Sequence, residues 1–201
     1  DEGGWATANV LLGNANPAGR LPFTWPRKLT DEAAEDPAHP ERTAKGVDGR
    51  TTFSEGIFVG YRWFDKKNTA PQFPFGFGLS YAKFSYSGLR IVHAVDGGLD
   101  VSFELKNTAN VAGDEVPQIY LGEPKHEPAN AQFAVRTLCG FDRVHLNAGE
   151  SQAVTVHVPL RSLQYWSTAS DRWLTATGAR KVYVGASSRD LRLNAVATIE
   201  R

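Results

Sequence analysis

Methionine is absent from this 201-residue chain, cysteine occurs once, and the charges cancel, with 22 Lys and Arg against 22 Asp and Glu. Each shortage excludes something. A single cysteine, Cys139, cannot form an intrachain disulfide, so the fold must stand on its apolar core. That thiol lies in an apolar, strand-like stretch and reads as a small buried hydrophobe rather than a nucleophile. A formal net charge of zero and a pI near 7.2, with no basic runs, provide no field to draw the chain to nucleic acid or an anionic membrane. No apolar stretch approaches the roughly 20 residues that span a bilayer. Asn-x-Ser/Thr sequons are missing as well. The lack of methionine extends to position 1, where the chain opens on Asp1-Glu2-Gly3-Gly4, which leads us to expect a piece cut or processed from a longer polypeptide.

What is present is enough for a real core: 41% of residues are hydrophobic and 22% charged. Residues 5–12 place Trp5, Ala8 and Leu12 at helical spacing, with Gly13 as a stop and Asp1 and Glu2 ahead of the helix, where negative charge suits its dipole. After the turn Asn16-Pro17-Ala18-Gly19, Leu21, Phe23 and Trp25 alternate with Pro22, Thr24 and Pro26, the pattern of a short edge strand. One helix and one edge strand cannot enclose a core, so residues 1–52 are expected to be the remnant of an α/β sandwich domain followed by an exposed, turn-rich loop (27–52). Residues 53–82 are expected to form a connector. In it, Glu55–Phe64 reads as a strand covered on both faces, and Phe73-Pro74-Phe75-Gly76-Phe77-Gly78-Leu79-Ser80-Tyr81 reads as a stiff segment that pins aromatic rings between two bodies. Rings buried there would contribute on the order of 1.5–3 kcal/mol each.

From about residue 83 the chain becomes a series of short strands with turns between them. The candidates are 84–95, 99–107, 115–121, 135–146, 152–158, 172–175, 181–185 and 191–199. In the second, Val101, Phe103 and Leu105 face inward while Ser102, Glu104 and Lys106 face out. Residues 83–201 therefore predict a fibronectin type III-like or immunoglobulin-like β-sandwich, and the chain as a whole a mainly β fold.

A catalytic constellation is hard to find. The five histidines, His39, His93, His126, His145 and His157, lack metal-ligand spacing, and His145 and His157 are expected to face solvent. No cofactor motif occurs, since Gly76-Phe77-Gly78 lacks a following helix and a third glycine. Glu55, on a segment crowded with aromatics and seven residues before Arg62, is the carboxylate best suited to the rim of a sugar site, but an ion pair or hydrogen bond that fixes the connector is the simpler explanation. Trp25, Tyr61, Trp63, Trp166 and Trp173 could stack on sugars, though most suit core or interface positions.

Taken in order, Gly13-Asn14-Ala15-Asn16-Pro17-Ala18-Gly19-Arg20-Leu21-Pro22, Glu55-Gly56-Ile57-Phe58-Val59-Gly60-Tyr61-Arg62, Phe73–Tyr81, Gly113-Asp114-Glu115-Val116-Pro117-Gln118-Ile119-Tyr120, Leu138-Cys139-Gly140-Phe141 and Val182-Tyr183-Val184-Gly185 resemble the C-terminal end of a family 3 glycoside hydrolase of the β-glucosidase or β-xylosidase type. The resemblance implies a parent enzyme that removes terminal β-linked sugars with retention, through an aspartate nucleophile and a glutamate acid/base. In the family these sit on an N-terminal (β/α)8 barrel and upstream in the α/β domain. Ser170-Asp171-Arg172-Trp173 is the nearest match to the nucleophile's Ser/Thr-Asp-Trp motif, but it carries an extra residue and lies in the sandwich. The resemblance thus implies no catalytic residue, cofactor or metal in this chain, with the barrel and α/β domain of the same parent as its partners. Export to the periplasm or medium is common in the family. Two other readings are a free-standing carbohydrate-binding module, which needs exposed coplanar aromatics, and a protein-interaction sandwich, which leaves residues 1–82 without a purpose.

Overall fold

The computed structural model describes residues 2–128 and 131–200. Asp1, expected ahead of the first helix, lies outside the described residues. The helix itself, α1 (Gly3–Leu11), forms close to where the spacing places it and stops at Gly13, whose φ of 78° suits glycine. None of its residues is buried.

The proline-flanked strand shrinks to an extended segment. Pro22 and Pro26 have no N–H to give, whereas Leu21 and Trp25 donate theirs to the carbonyls of Phe77 and Phe73, both at 2.8 Å. Only the Trp25–Phe73 bridge reaches strand pairing. Residues 27–52 are mostly exposed and carry single 3-10 turns at Leu29–Asp31, Ala33–Glu35 and Pro40–Arg42. They are more than a loop, however, because Ala33 and Arg42 are buried. Ala33 joins Phe58, Trp63 and Phe64 in a small second core.

The expected strand at Glu55–Phe64 is a correction. These residues form turns and then a helix, α2 (Tyr61–Lys67), that buries Trp63, Phe64 and Asp65. Gly56 and Gly60 take φ of 61° and 54°, which breaks any continuous strand. Asn68 closes the helix in the left-handed region, after Lys66 and Lys67 in its last turn. Lys66 also stacks its ammonium 3.5 Å from the centre of the Phe58 ring.

The remainder is a β-sandwich. One sheet orders β1 (Phe84–His93), β2 (Leu99–Asn107) and β7 (Ser151–Val158). The facing sheet orders β11 (Leu191–Ile199), β10 (Gly178–Gly185), β4 (Gln118–Gly122) and β5 (Arg136–Phe141). Two further pairs complete it: β3 (Gly113–Glu115) with β6 (Val144–Leu146), and β8 (Gln164–Ser167) with β9 (Arg172–Thr175), the latter preceded by the single turn α3 (Leu160–Leu163). Every pairing is antiparallel. The alternation in β2 plays out as the sequence demands, with Leu99, Val101, Phe103 and Leu105 in the core beside Val154, Val156 and Val158 of β7. Tyr86 stacks on Phe103 at 5.8 Å. Buried Asn107 is fully used: its amide donates to the carbonyls of Val111 and Leu146, and its oxygen accepts from Ala109 N–H. The expected strand 115–121 splits at Pro117, which cannot donate, and 135–146 splits at Asp142-Arg143.

Candidate functional site

The most elaborated region is the junction where the Phe73–Tyr81 segment runs between the N-terminal residues and the sandwich. Hydrogen bonds hold it along both edges. On one side lie the Leu21 and Trp25 bonds above, with Gly76 N–H donating to the Leu21 carbonyl at 2.8 Å. On the other, Ser188 N–H donates to the Phe75 carbonyl at 3.0 Å. Gly76, at φ 82°, lies flat on the Gln118 amide, where a β-carbon would collide with that side chain. Gln118 in turn donates to the Ala186 carbonyl at 3.1 Å. At Gly78 a β-carbon would strike the Gly19 carbonyl oxygen, so the turn and the connector meet backbone to backbone.

The Asn16-Pro17-Ala18-Gly19-Arg20 turn supplies two further ties. The Asn16 amide donates to the Ala112 carbonyl at 2.9 Å, and its oxygen accepts from Ser80 Oγ and Tyr81 N–H. Arg20 reaches Glu115 on β3 at 2.6 Å, both side chains nearly shielded from water. Tyr81 closes the set by donating its hydroxyl to the Val10 carbonyl at the end of α1. A second ionic tie joins α2 to the sandwich: the Asp65 carboxylate, which has no solvent exposure, faces Arg136 at 2.8 Å and Arg189 at 3.2 Å.

The rings of the connector divide between two surroundings. Phe75 packs on Tyr61 at 5.1 Å, and Tyr61 meets Tyr120 edge-on at 5.8 Å, so these rings serve the sandwich side. Phe73 and Phe77 pair at 5.1 Å on the far side, beside Phe23 and Trp25. There they line an open apolar groove of about 520 Å3 with Leu21 and Leu79. The burial expected for all the rings is thus incomplete within this chain: Phe73 and Tyr81 stay exposed, and Leu79 is 70% exposed. Trp5 and Leu11 of α1, and Leu12 just beyond it, are also more than 70% exposed. An apolar face of this extent is unusual on a free surface.

Glu55 is buried and stands 3.7 Å from the Arg42 guanidinium, with one carboxylate oxygen and one Arg42 nitrogen lacking hydrogen-bond partners. Arg62, seven residues on, forms no ion pair with it. Ser54 bridges Arg42 and Glu41 at 2.7 and 2.6 Å; its hydroxyl, with His39, holds the Glu41 carboxyl down at about 2. His145 and His157 do face solvent, and each meets a carboxylate that sequence spacing could not reveal: His145 with Asp114 of β3 at 2.6 Å, and His157 with Asp100 of β2 at 2.7 Å and Asp96 of the β1–β2 turn at 3.1 Å. Cys139 packs against the core, donates to the Ile119 carbonyl, and burial pushes its thiol up to about 12, which makes it inert at neutral pH. Asp171 sits exposed in the β8–β9 turn. Trp63 is buried, while Trp166 and Trp173 stand exposed with ring planes 72° apart, far from the coplanar platform that a flat polysaccharide surface requires.

A two-sheet antiparallel sandwich with this strand order defines a fibronectin type III-like domain, and the profile of that domain matches residues 115–188. The profile of the glycosyl hydrolase family 3 C-terminal domain matches residues 1–61. The chain belongs to the family 3 glycosyl hydrolases, as a part corresponding to the end of that C-terminal domain and the fibronectin-like domain beyond it. It is 40% identical to a probable β-glucosidase M of Neosartorya fischeri, across 98% of this chain and 27% of that protein. It is 39% identical to the β-glucosidase BoGH3A of Bacteroides ovatus, across 94% of this chain and 25% of that protein. Among solved structures, DesR, a β-glucosidase from Streptomyces venezuelae in complex with D-glucose, superimposes with a TM-score of 0.91 at 42% identity, across 97% of this chain and 24% of that one. β-Glucosidase 3B from Thermotoga neapolitana gives a TM-score of 0.86 at 34% identity. The chain spans about a quarter of the length of the relatives it matches.

Proposed function

We propose that these residues are the non-catalytic C-terminal part of a retaining, exo-acting β-glycosidase, most simply a β-glucosidase that removes terminal β-linked sugars outside the cytoplasm. The observation that carries this reading is the apolar face of α1 and the connector, left open beside a junction that is otherwise tightly bonded. Its partners are then the barrel and α/β domain of the same protein, which would cover that face, and neither nucleic acid nor a membrane has a role. The division at residues 52 and 82 belongs to this reading, with the connector bracing the sandwich against the preceding layer. By the family's pattern both catalytic carboxylates lie upstream, so the chain needs no cofactor or metal and has no activity alone. The intact protein should hydrolyse a chromogenic β-glucoside, while residues 1–201 alone should not; turnover by the fragment would overturn the assignment of roles.

Glu55 is the candidate here for the rim of the parent's pocket; its carboxylate is buried 3.7 Å from the Arg42 guanidinium, so a rim role requires that this pair open to a sugar hydroxyl. Glu55→Gln in the intact protein should then raise KM several-fold with little change in melting temperature. A change in melting temperature alone would assign Glu55 to structure.

A further inference from the structure

The β8–β9 hairpin, the start of β5, α3 and the turn leading into α2 line a cleft of about 670 Å3 on the sandwich. Its size falls within the range of small-ligand sites. Trp166 and Trp173 form one wall, each 45% exposed and set edge to face at 5.6 Å. Arg161 lies over the Trp173 ring at 4.3 Å, and Arg62 lines the same space. Gln132, Ser162 and Gln164 add amide and hydroxyl groups.

The charge of this lining is one-sided. No Asp or Glu lines the cleft among the described residues, so two guanidiniums share it without a counter-charge there. Among the described residues neither arginine forms an ion pair; their close neighbours are the rings of Trp173 and Tyr61. A guanidinium resting on an indole keeps its N–H edge free to grip a carboxylate in two parallel bonds. A cleft for neutral sugars alone would gain from carboxylates that accept hydrogen bonds from sugar hydroxyls, and this one has none among the described residues. The perpendicular indoles offer a stacking surface to a single ring rather than to an extended sheet of them.

We infer that this cleft binds a ring that carries a carboxylate, the acid held by Arg161 and Arg62 and the apolar face of the ring set against Trp166. Two sources share that chemistry: a uronic-acid residue on a glycan, and an aromatic acid of the hydroxycinnamate type. The inference stands independently of the β-glucosidase reading.

Isothermal titration of the intact protein tests it with three probes: a glucuronate-bearing xylo-oligosaccharide, its neutral counterpart of equal length, and a hydroxycinnamate. At least one acid should bind with one-to-one stoichiometry, and the tighter of the two identifies the source. Its affinity should fall about tenfold or more in Arg161→Gln and in Trp166→Ala, and should weaken as salt is raised. Melting temperatures of the variants check folding, and Arg62→Gln carries the test should Arg161→Gln fail to fold. Absence of heat from both acids overturns the inference. So does acid binding that both arginine variants leave unchanged, or neutral saccharide binding as tight as the acid and lost in Trp166→Ala.

Discussion

Asp65 shows how much one side chain can carry at this junction. Its carboxylate is sealed from water and neutralised by Arg136 and Arg189, which come from β5 and from the turn before β11. Removing the charge leaves two guanidiniums facing each other in a half-dry space, the situation in which a broken pair costs about 3–5 kcal/mol. Asp65→Asn should lower stability by that order in chemical denaturation, and a loss under about 1 kcal/mol would mean that the pair behaves as a surface bridge. His157 makes a weaker, pH-dependent statement. Hydrogen bonding to Asp100, then Asp96, raises its pKa above the usual value near 6.5. A raised folded value means that the imidazolium stabilises the fold below that pH, and the gain disappears as pH rises through the folded value. Asp96 has the opposite sign: the Gly98 N–H, then His157, lowers its pKa, so its contribution is present above the ordinary aspartate value and fades in acid. The melting temperature should therefore decline between about pH 6 and pH 8, and His157→Gln should flatten that slope. An identical slope in the variant would show that other groups set it.

Among the elements, the connector has the sharpest consequence. Phe75 is the ring that faces the sandwich, through Tyr61, so Phe75→Ala in the intact protein should cost about 1.5–3 kcal/mol, with sugar preference unchanged. Unaltered melting behaviour would remove the bracing role. The contrast among elements also marks what could be read before folding. The sandwich was legible because β2 and β7 alternate strictly, and alternation is a local signal of a half-buried strand. Glu55–Phe64 was not, because large apolar groups on both parities fit a covered strand as well as a short buried helix. Only the positive φ of Gly56 and Gly60, invisible in a string of letters, decides between them. β8 escaped notice since four residues, Gln164–Ser167, give too little pattern without their partner β9. The ties at the junction were legible only as motifs. Asn16 and Arg20 were read as parts of a turn, while their partners, Ala112, Ser80, Tyr81 and Glu115, lie from about 60 to nearly 100 positions away in the chain.

At the scale of the whole molecule, two surfaces of opposite character sit side by side. The sandwich is closed, its core walled by both sheets, whereas α1 and the groove beneath Phe73 and Phe77 present apolar groups to water. Residues 1–201 alone should therefore bind an apolar dye such as ANS and self-associate, and the intact protein should do neither. Equal dye binding by both would show that nothing covers that face. The double-edged bonding of Phe73–Tyr81 has an implication for anyone recombining such proteins. A crossover placed at the apparent seam before β1 would part that segment from its sandwich partners Gln118 and Ser188 and leave it bonded along one edge only. A chimera that swaps the sandwich should instead transplant Asn16 onward as one cassette, because the seam seen in the sequence is not the line along which the molecule comes apart.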